Sequence, residues 1–211
     1  MEITRKTGAV IAQTAVYLLA ALVFLLPLAR LLLMGVTLED GYGLDNFATL
    51  LAEERTREAI VNTIIIAVTS TVLAAVCGSG LAFLTAYCNI KRKGLIEFLV
   101  LLPFIIPSYI ITLSWSSFLS SRGAFNQFLT SIGLPAVDIY TMGGIILVLG
   151  FCNIPIVYVN VVHMLRKIPR DMEWAARACG YSQRQAMLKI NLVSAIPAIA
   201  AGSVLAFLSA I

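Results

Sequence analysis

The feature that most constrains this chain is a series of long apolar stretches separated by shorter polar ones. They lie at about 9–33, 60–87, 95–118, 140–164 and 192 to the last residue. A helix rises about 1.5 Å per residue, so roughly 20 apolar residues cover the hydrocarbon core of a bilayer. Lipid offers no partner to a backbone amide, which leaves helices and closed barrels as the only spanning structures. The short alternating strands of a barrel are absent. Charged residues make up 12% of the chain and apolar residues 60%, against about 25% charged in a soluble domain. The expected fold is all-α: a polytopic helical membrane protein with about five transmembrane helices in a lipid bilayer.

Basic residues set the orientation. The stretches at 1–8, 88–94 and 166–190 hold Arg5, Lys6, Lys91, Arg92, Lys93, Arg166, Lys167, Arg170, Arg177, Arg184 and Lys189, whereas the other two hold Arg55, Arg57 and Arg122. The positive-inside rule places the first set and the N-terminus in the cytoplasm. The net charge of +4 is thus a topology signal, and nucleic acid is not an expected partner. Arg5 and Lys6 resemble the start of a signal peptide, but the run behind them is too long and lacks a cleavage site, so a retained helix is expected. Five crossings put the C-terminus outside, within an apolar run. That is the pattern of a fragment or of one half of a longer protein.

Within the spans, Ser70, Ala74, Gly78, Ala82 and Ala86 recur at every fourth position, as do Ala198, Gly202, Ala206 and Ala210. Small residues on one stripe let helix backbones approach closely, either within the chain or against a second subunit. Pro103, Pro107, Pro155 and Pro197 can bend their helices. Asn153, Asn160, Ser114 and Ser116 are expected to make interhelical hydrogen bonds. His163 is expected at the membrane interface, Arg30 to snorkel, and the four cysteines to be unpaired thiols. No acidic residue lies deep in a span, which weighs against an ion-coupled transporter.

The polar segment 166–197 carries the functional signal. Ile168-Pro169 should end the fourth helix. Asp171 is a candidate N-cap, Glu173 suits the first turn, and Glu173 and Arg177 are spaced to pair. Gly180 fits a left-handed C-cap, and Ser182 to Gln185 read as a capping box opening another helix. The expected unit is a short helix exposing Ala175, Ala176 and Gly180, a sharp turn, and a helix returning to the membrane.

This segment resembles the cytoplasmic loop of binding-protein-dependent ABC importer permeases: Glu-Ala-Ala, three residues, Gly, nine residues, Ile, one residue, Leu-Pro. Ala175, Ala176, Gly180, Ile190 and Leu192 match. Trp174 stands at the Glu position, with Glu173 one residue earlier, and Val193 replaces the Pro. NTIIIAVTSTVLAA, LLPFIIPSYIITLSW and RGAFNQFL also resemble the family, most closely the iron(III)-type permeases with two fused halves. The resemblance covers about residues 57–211 and implies an incomplete type-I transmembrane domain there, behind an N-terminal helix and periplasmic loop over 1–56. It implies that Glu173, Trp174, Ala175, Ala176, Arg177, Gly180, Ile190 and Leu192 form the loop that couples to a cytoplasmic ABC ATPase dimer. It also implies a periplasmic substrate-binding protein, a second permease half or subunit, and the bacterial inner membrane. Iron(III) is the expected solute, with thiamine, polyamine and phosphonate as alternatives. No cofactor is expected, and no G-x-x-x-x-G-K-[ST] nucleotide motif is present, so hydrolysis would belong to the partner. An ion-coupled transporter and a membrane scaffold are the competing classes.

Overall fold

The computed structural model describes residues 2–38 and 41–211, with the side chains of residues 2–12, Ser108 and Arg170 outside the description. Glu39 and Asp40 of the first polar stretch also fall outside it. The chain divides into two units, residues 1–61 and 62–211.

In the first unit, α1 (Glu2–Val36) is continuous despite Pro27. A two-residue hairpin follows, β1 (Thr37–Leu38) against β2 (Gly41–Tyr42), and then α2 (Asp45–Ala52). The amide of Asn46 donates to the carbonyls of Gly35 at 3.3 Å and Thr37 at 3.1 Å, and Gly43 N–H to that of Val36 at 2.9 Å. These bonds satisfy carbonyls that the end of α1 leaves open. Gly35 has no side chain to block the Phe47 ring, which would stand 3.0 Å from a Cβ there.

α3 (Glu54–Tyr87) starts within the polar stretch, about six residues before the apolar run. Its 34 residues make a rod longer than the hydrocarbon core of about 30 Å, so polar turns can extend the helix beyond the lipid. Among the described residues, four helices are long and apolar enough to cross a membrane: Gln13–Val36, Glu54–Tyr87, Met142–Lys167 and Gln183–Ala210. The third apolar stretch is not a straight span. It forms α4 (Lys93–Ile105) and α5 (Ser108–Phe118), bent by 111° at the break between them. Pro107 supplies no amide to continue the ladder and presets an extended Ile106.

The second unit is built around α7 (Met142–Lys167), whose Val157, Tyr158, Val161, Val162 and Leu165 form most of the core. Both small-residue stripes face it. From α3, a Cβ on Gly78 would stand 2.9 Å from the Ile154 carbonyl oxygen and 3.0 Å from Val157 Cβ. From α10 (Val193–Ala210), a Cβ on Gly202 would stand 3.0 Å from Val157 Cα. Val157 is wedged between two glycines, and the stripes serve packing within the chain. Thr85 and Tyr158 share a buried hydroxyl contact of 3.1 Å across α3 and α7.

Two expectations for polar residues change. The Asn160 amide donates to the Ile156 carbonyl at 2.8 Å and the Ser114 hydroxyl to that of Ile110 at 2.8 Å, so both serve their own helices. Long-range bonds come from other residues, among them Asn126 in α6 (Ala124–Ser131). Its buried amide donates to the carbonyls of Leu119 (2.8 Å), Ser120 (3.2 Å) and Val137 (2.8 Å), while its oxygen accepts from Val137 N–H at 2.8 Å. One side chain therefore ties both strands of the loop that leads from α5 to α7. At the other end of α7, Arg166 donates to Glu97 of α4 at 2.6 Å, with Lys93 at 3.9 Å from the same oxygen. The four cysteines are free thiols, as expected, and His163 is exposed.

Candidate functional site

α7 ends where Ile168 turns extended before Pro169. Pro169 itself is the N-cap of α8 (Arg170–Ala178), and Asp171 lies in the first turn with Glu173. Asp171 thus acts on the helix dipole and not as a cap, because Pro169 already presets the entry angle. At the far end Gly180 adopts φ +92°. Tyr181 N–H reaches the Ala176 carbonyl at 3.1 Å and Gly180 N–H that of Arg177 at 3.0 Å. This is the double bond pattern of a left-handed helix stop, which glycine enters without steric cost. Ser182 and Gln185 then form a reciprocal capping box, the Ser182 hydroxyl accepting at 3.2 Å and the Gln185 side chain at 2.9 Å.

The box opens α9 (Gln183–Ala186), which continues through a π-helical turn, Met187–Leu192, into α10. The last membrane helix therefore begins about nine residues before the apolar run does. Ile190 and Leu192 are half-buried in the π turn. Asn191, between them, is buried with its side-chain oxygen unpaired. Such turns are uncommon and break the regular ladder.

The faces of α8 differ from the sequence expectation. Ala175 and Gly180 are exposed, and nothing lies within 4 Å of a Cβ built on Gly180. Ala176 is 7% exposed and packs inward. One helical step of about 100° separates the two alanines, and here it carries Ala176 onto the buried side. Glu173 does not pair with Arg177. It is half-buried and lies within electrostatic reach of Tyr87 at the end of α3. Trp174 is 63% exposed. Beside it, Arg177, Tyr181, Ser182 and Gln183 complete a shallow concavity of about 450 Å³, with Lys189 Nζ 5.0 Å from the Tyr181 ring centre.

A second concavity, of about 690 Å³, runs along the inside of the α4–α5 bend. Leu81, Val100, Pro103, Ile110, Trp115 and Phe151 are among its lining residues. Trp115 of α5 packs on Phe151 of α7 with ring centres 5.6 Å apart. The sequence reading assigned no substrate path. The paired prolines were the available signal for this groove, since a bend is what opens it. Its walls are apolar, and the Ser114 hydroxyl is already committed to its own helix.

A family model described as "Binding-protein-dependent transport system inner membrane component" matches residues 74–211. The chain belongs to this family. It is an ABC importer permease subunit, a multi-pass protein of the inner membrane. The chain is 28% identical to the spermidine/putrescine transport system permease protein PotB of Salmonella typhimurium, across 100% of this chain and 76% of that protein. It is 28% identical to the sulfate transport system permease protein CysT of the same species, across 69% of this chain and 52% of that one. The putative 2-aminoethylphosphonate transport system permease protein PhnU of Salmonella choleraesuis is 28% identical, across 90% and 68%. In fold, the chain is similar to a bacterial ABC transporter involved in the import of the acidic polysaccharide alginate. The TM-score is 0.78 at 22% identity, covering 95% of this chain and 72% of that one.

The permease fold is thus the type-I importer architecture expected from the sequence. Its 170–182 segment is ordered largely by local bonds, which makes the capping box testable alone. Ser182→Ala should weaken the box by about 1 kcal/mol. Hydrogen–deuterium exchange at the amides of residues 183–186 in the purified permease should then speed by about fivefold, with α7 amides unchanged.

Proposed function

We propose that α8 is the element through which a cytoplasmic ATPase dimer drives this permease. The observation that carries this reading is the combination of an exposed Ala175 and a left-handed, unobstructed Gly180 on a helix stopped at both ends. Small residues there let a partner's cleft close over the backbone. α8 is held between two long helices, following α7 and leading through the capping box into the last span, so a push on it reaches both. Closure of the ATPase dimer would in this way switch the spans between inward-open and outward-open states. A periplasmic binding protein delivers the solute, and a solved neighbour of similar fold is in complex with alginate pentasaccharide-bound periplasmic protein.

The solute path lies between this chain and a second permease half. The groove along α4 and α5 supports that arrangement, because its apolar walls offer little to a polar solute. For the solute we place polyamine ahead of iron(III), since the PotB relative aligns along the whole of this chain. Competing uptake of labelled spermidine and of chelated iron(III) into cells expressing the complete importer separates the two.

Ala175→Trp tests the coupling role. The substitution sits on an exposed face, so the permease should fold and reach the membrane normally. It should lose at least about tenfold in affinity for its ATPase and lose ATP-driven uptake in proteoliposomes. Normal assembly with full uptake would remove α8 from the mechanism.

A further inference from the structure

The outward face of α8 does not carry an acid at the position where the family pattern has one. Asp171, Trp174, Ala175 and Ala178 follow the i, i+3, i+4, i+7 spacing of a single helix face, and all four are exposed. Small alanines flank the indole, so it stands free at 63% exposure. Glu173 does not stand in for the missing carboxylate, because it lies one residue earlier, about 100° around the helix, and is half-buried. Trp174 shares a shallow concave surface with Arg177, Tyr181, Ser182 and Gln183, so polar groups lie beside the exposed aromatic. An aromatic centre with a polar rim is the arrangement of an interface hot spot.

We infer that the ATPase partner of this permease receives α8 through an aromatic anchor: Trp174 enters an apolar pocket in the ATPase cleft, where a carboxylate would require a basic one. This rests on the coupling role proposed above and adds the chemistry of the partner's cleft. It makes Trp174 a specificity determinant, since a cleft built for an acid would leave its own cation unpaired and buried against the indole. Tryptophan also favours membrane interfaces. The basic residues of the 166–190 stretch would also suit anionic headgroups, so it is the small residues beside the indole that favour a closely fitting protein cleft, and the lipid surface is an outcome of the test.

The test uses the full-length permease with its second half and its ATPase, measuring ATPase affinity in detergent and in nanodiscs. Trp174→Ala and Trp174→Glu should each weaken binding by about tenfold or more, and Trp174→Phe by no more than about threefold. All three variants should bind the periplasmic protein as wild type does, showing that the spans are intact. If Trp174→Ala stays within about twofold of wild type while Ala175→Trp breaks the complex, the anchor is overturned and the docking role stands. If Ala175→Trp also binds normally, the docking role fails and the anchor with it. A Trp174→Ala loss seen only in nanodiscs would assign the indole to the lipid surface and overturn the protein pocket.

Discussion

Gly78→Leu is expected to leave almost no folded permease in the membrane. The Cβ alone would meet the Ile154 carbonyl oxygen at 2.9 Å, Val157 Cβ at 3.0 Å and the Tyr158 nitrogen at 3.1 Å. Two of these are backbone atoms and cannot swing aside. α3 and α7 would have to separate, which opens the Thr85–Tyr158 contact and the packing around Val157. Gly202 presses on Val157 from α10, so α7 has no room to retreat. In lipid, helices gain nothing from hydrophobic burial against each other and depend on close contact. Overpacking costs about 1–3 kcal/mol where neighbours can shift, and here the expected cost is above that range. Gly80→Leu is the control. It makes the same chemical change on the same helix, but nothing lies within 4 Å of a Cβ at that exposed position. Fluorescence-detected size exclusion of the two variants should show a lost monodisperse peak for the first and a near-normal one for the second.

Asn126→Ala should open the loop between α5 and α7. The substitution removes an amide that donates to the carbonyls of Leu119, Ser120 and Val137, and the oxygen that accepts from Val137 N–H. Net losses of about 1 kcal/mol per bond, plus the cost of a buried unpaired amide, come to about 3 kcal/mol or more. The damage should be local, because the bonds hold a loop and not the α7 core. Limited proteolysis of the purified permease should reveal new cleavage between residues 119 and 141, while the ion-paired end at Glu97 and Arg166 stays protected. Asn126→Asp keeps the acceptor for Val137 N–H but loses the donors, and faces three carbonyl oxygens with a charge. It should therefore rescue nothing.

The local devices of the 166–190 segment were legible because their causes are local. Pro169 must stop a helix, Gly180 can enter the left-handed region, and Ser182 and Gln185 can satisfy each other's backbone. The faces of α8 were not legible in the same way. Ala175 and Ala176 are identical in chemistry, and only the rest of the bundle decides that Ala176 is the buried one. The same holds for Glu173, which the spacing would pair with Arg177 and the fold leaves half-buried without that pair. Asn126 shows the opposite failure. It lies in a polar loop, where a polar side chain carries no signal, yet it is 2% exposed and organises that loop.

The sequence by itself determined the class of molecule and the number of apolar stretches, and singled out the polar segment whose local turns the structure shows. A bilayer imposes length and composition on every span, and neither depends on what the span packs against. Only the tertiary structure decided that the third stretch breaks by 111°, that both small-residue stripes close on α7, and that α8 leaves Trp174 exposed while burying Ala176. Pro107 permits the break without fixing its angle, and the choice of helix faces comes from close packing around Val157 and Ala176.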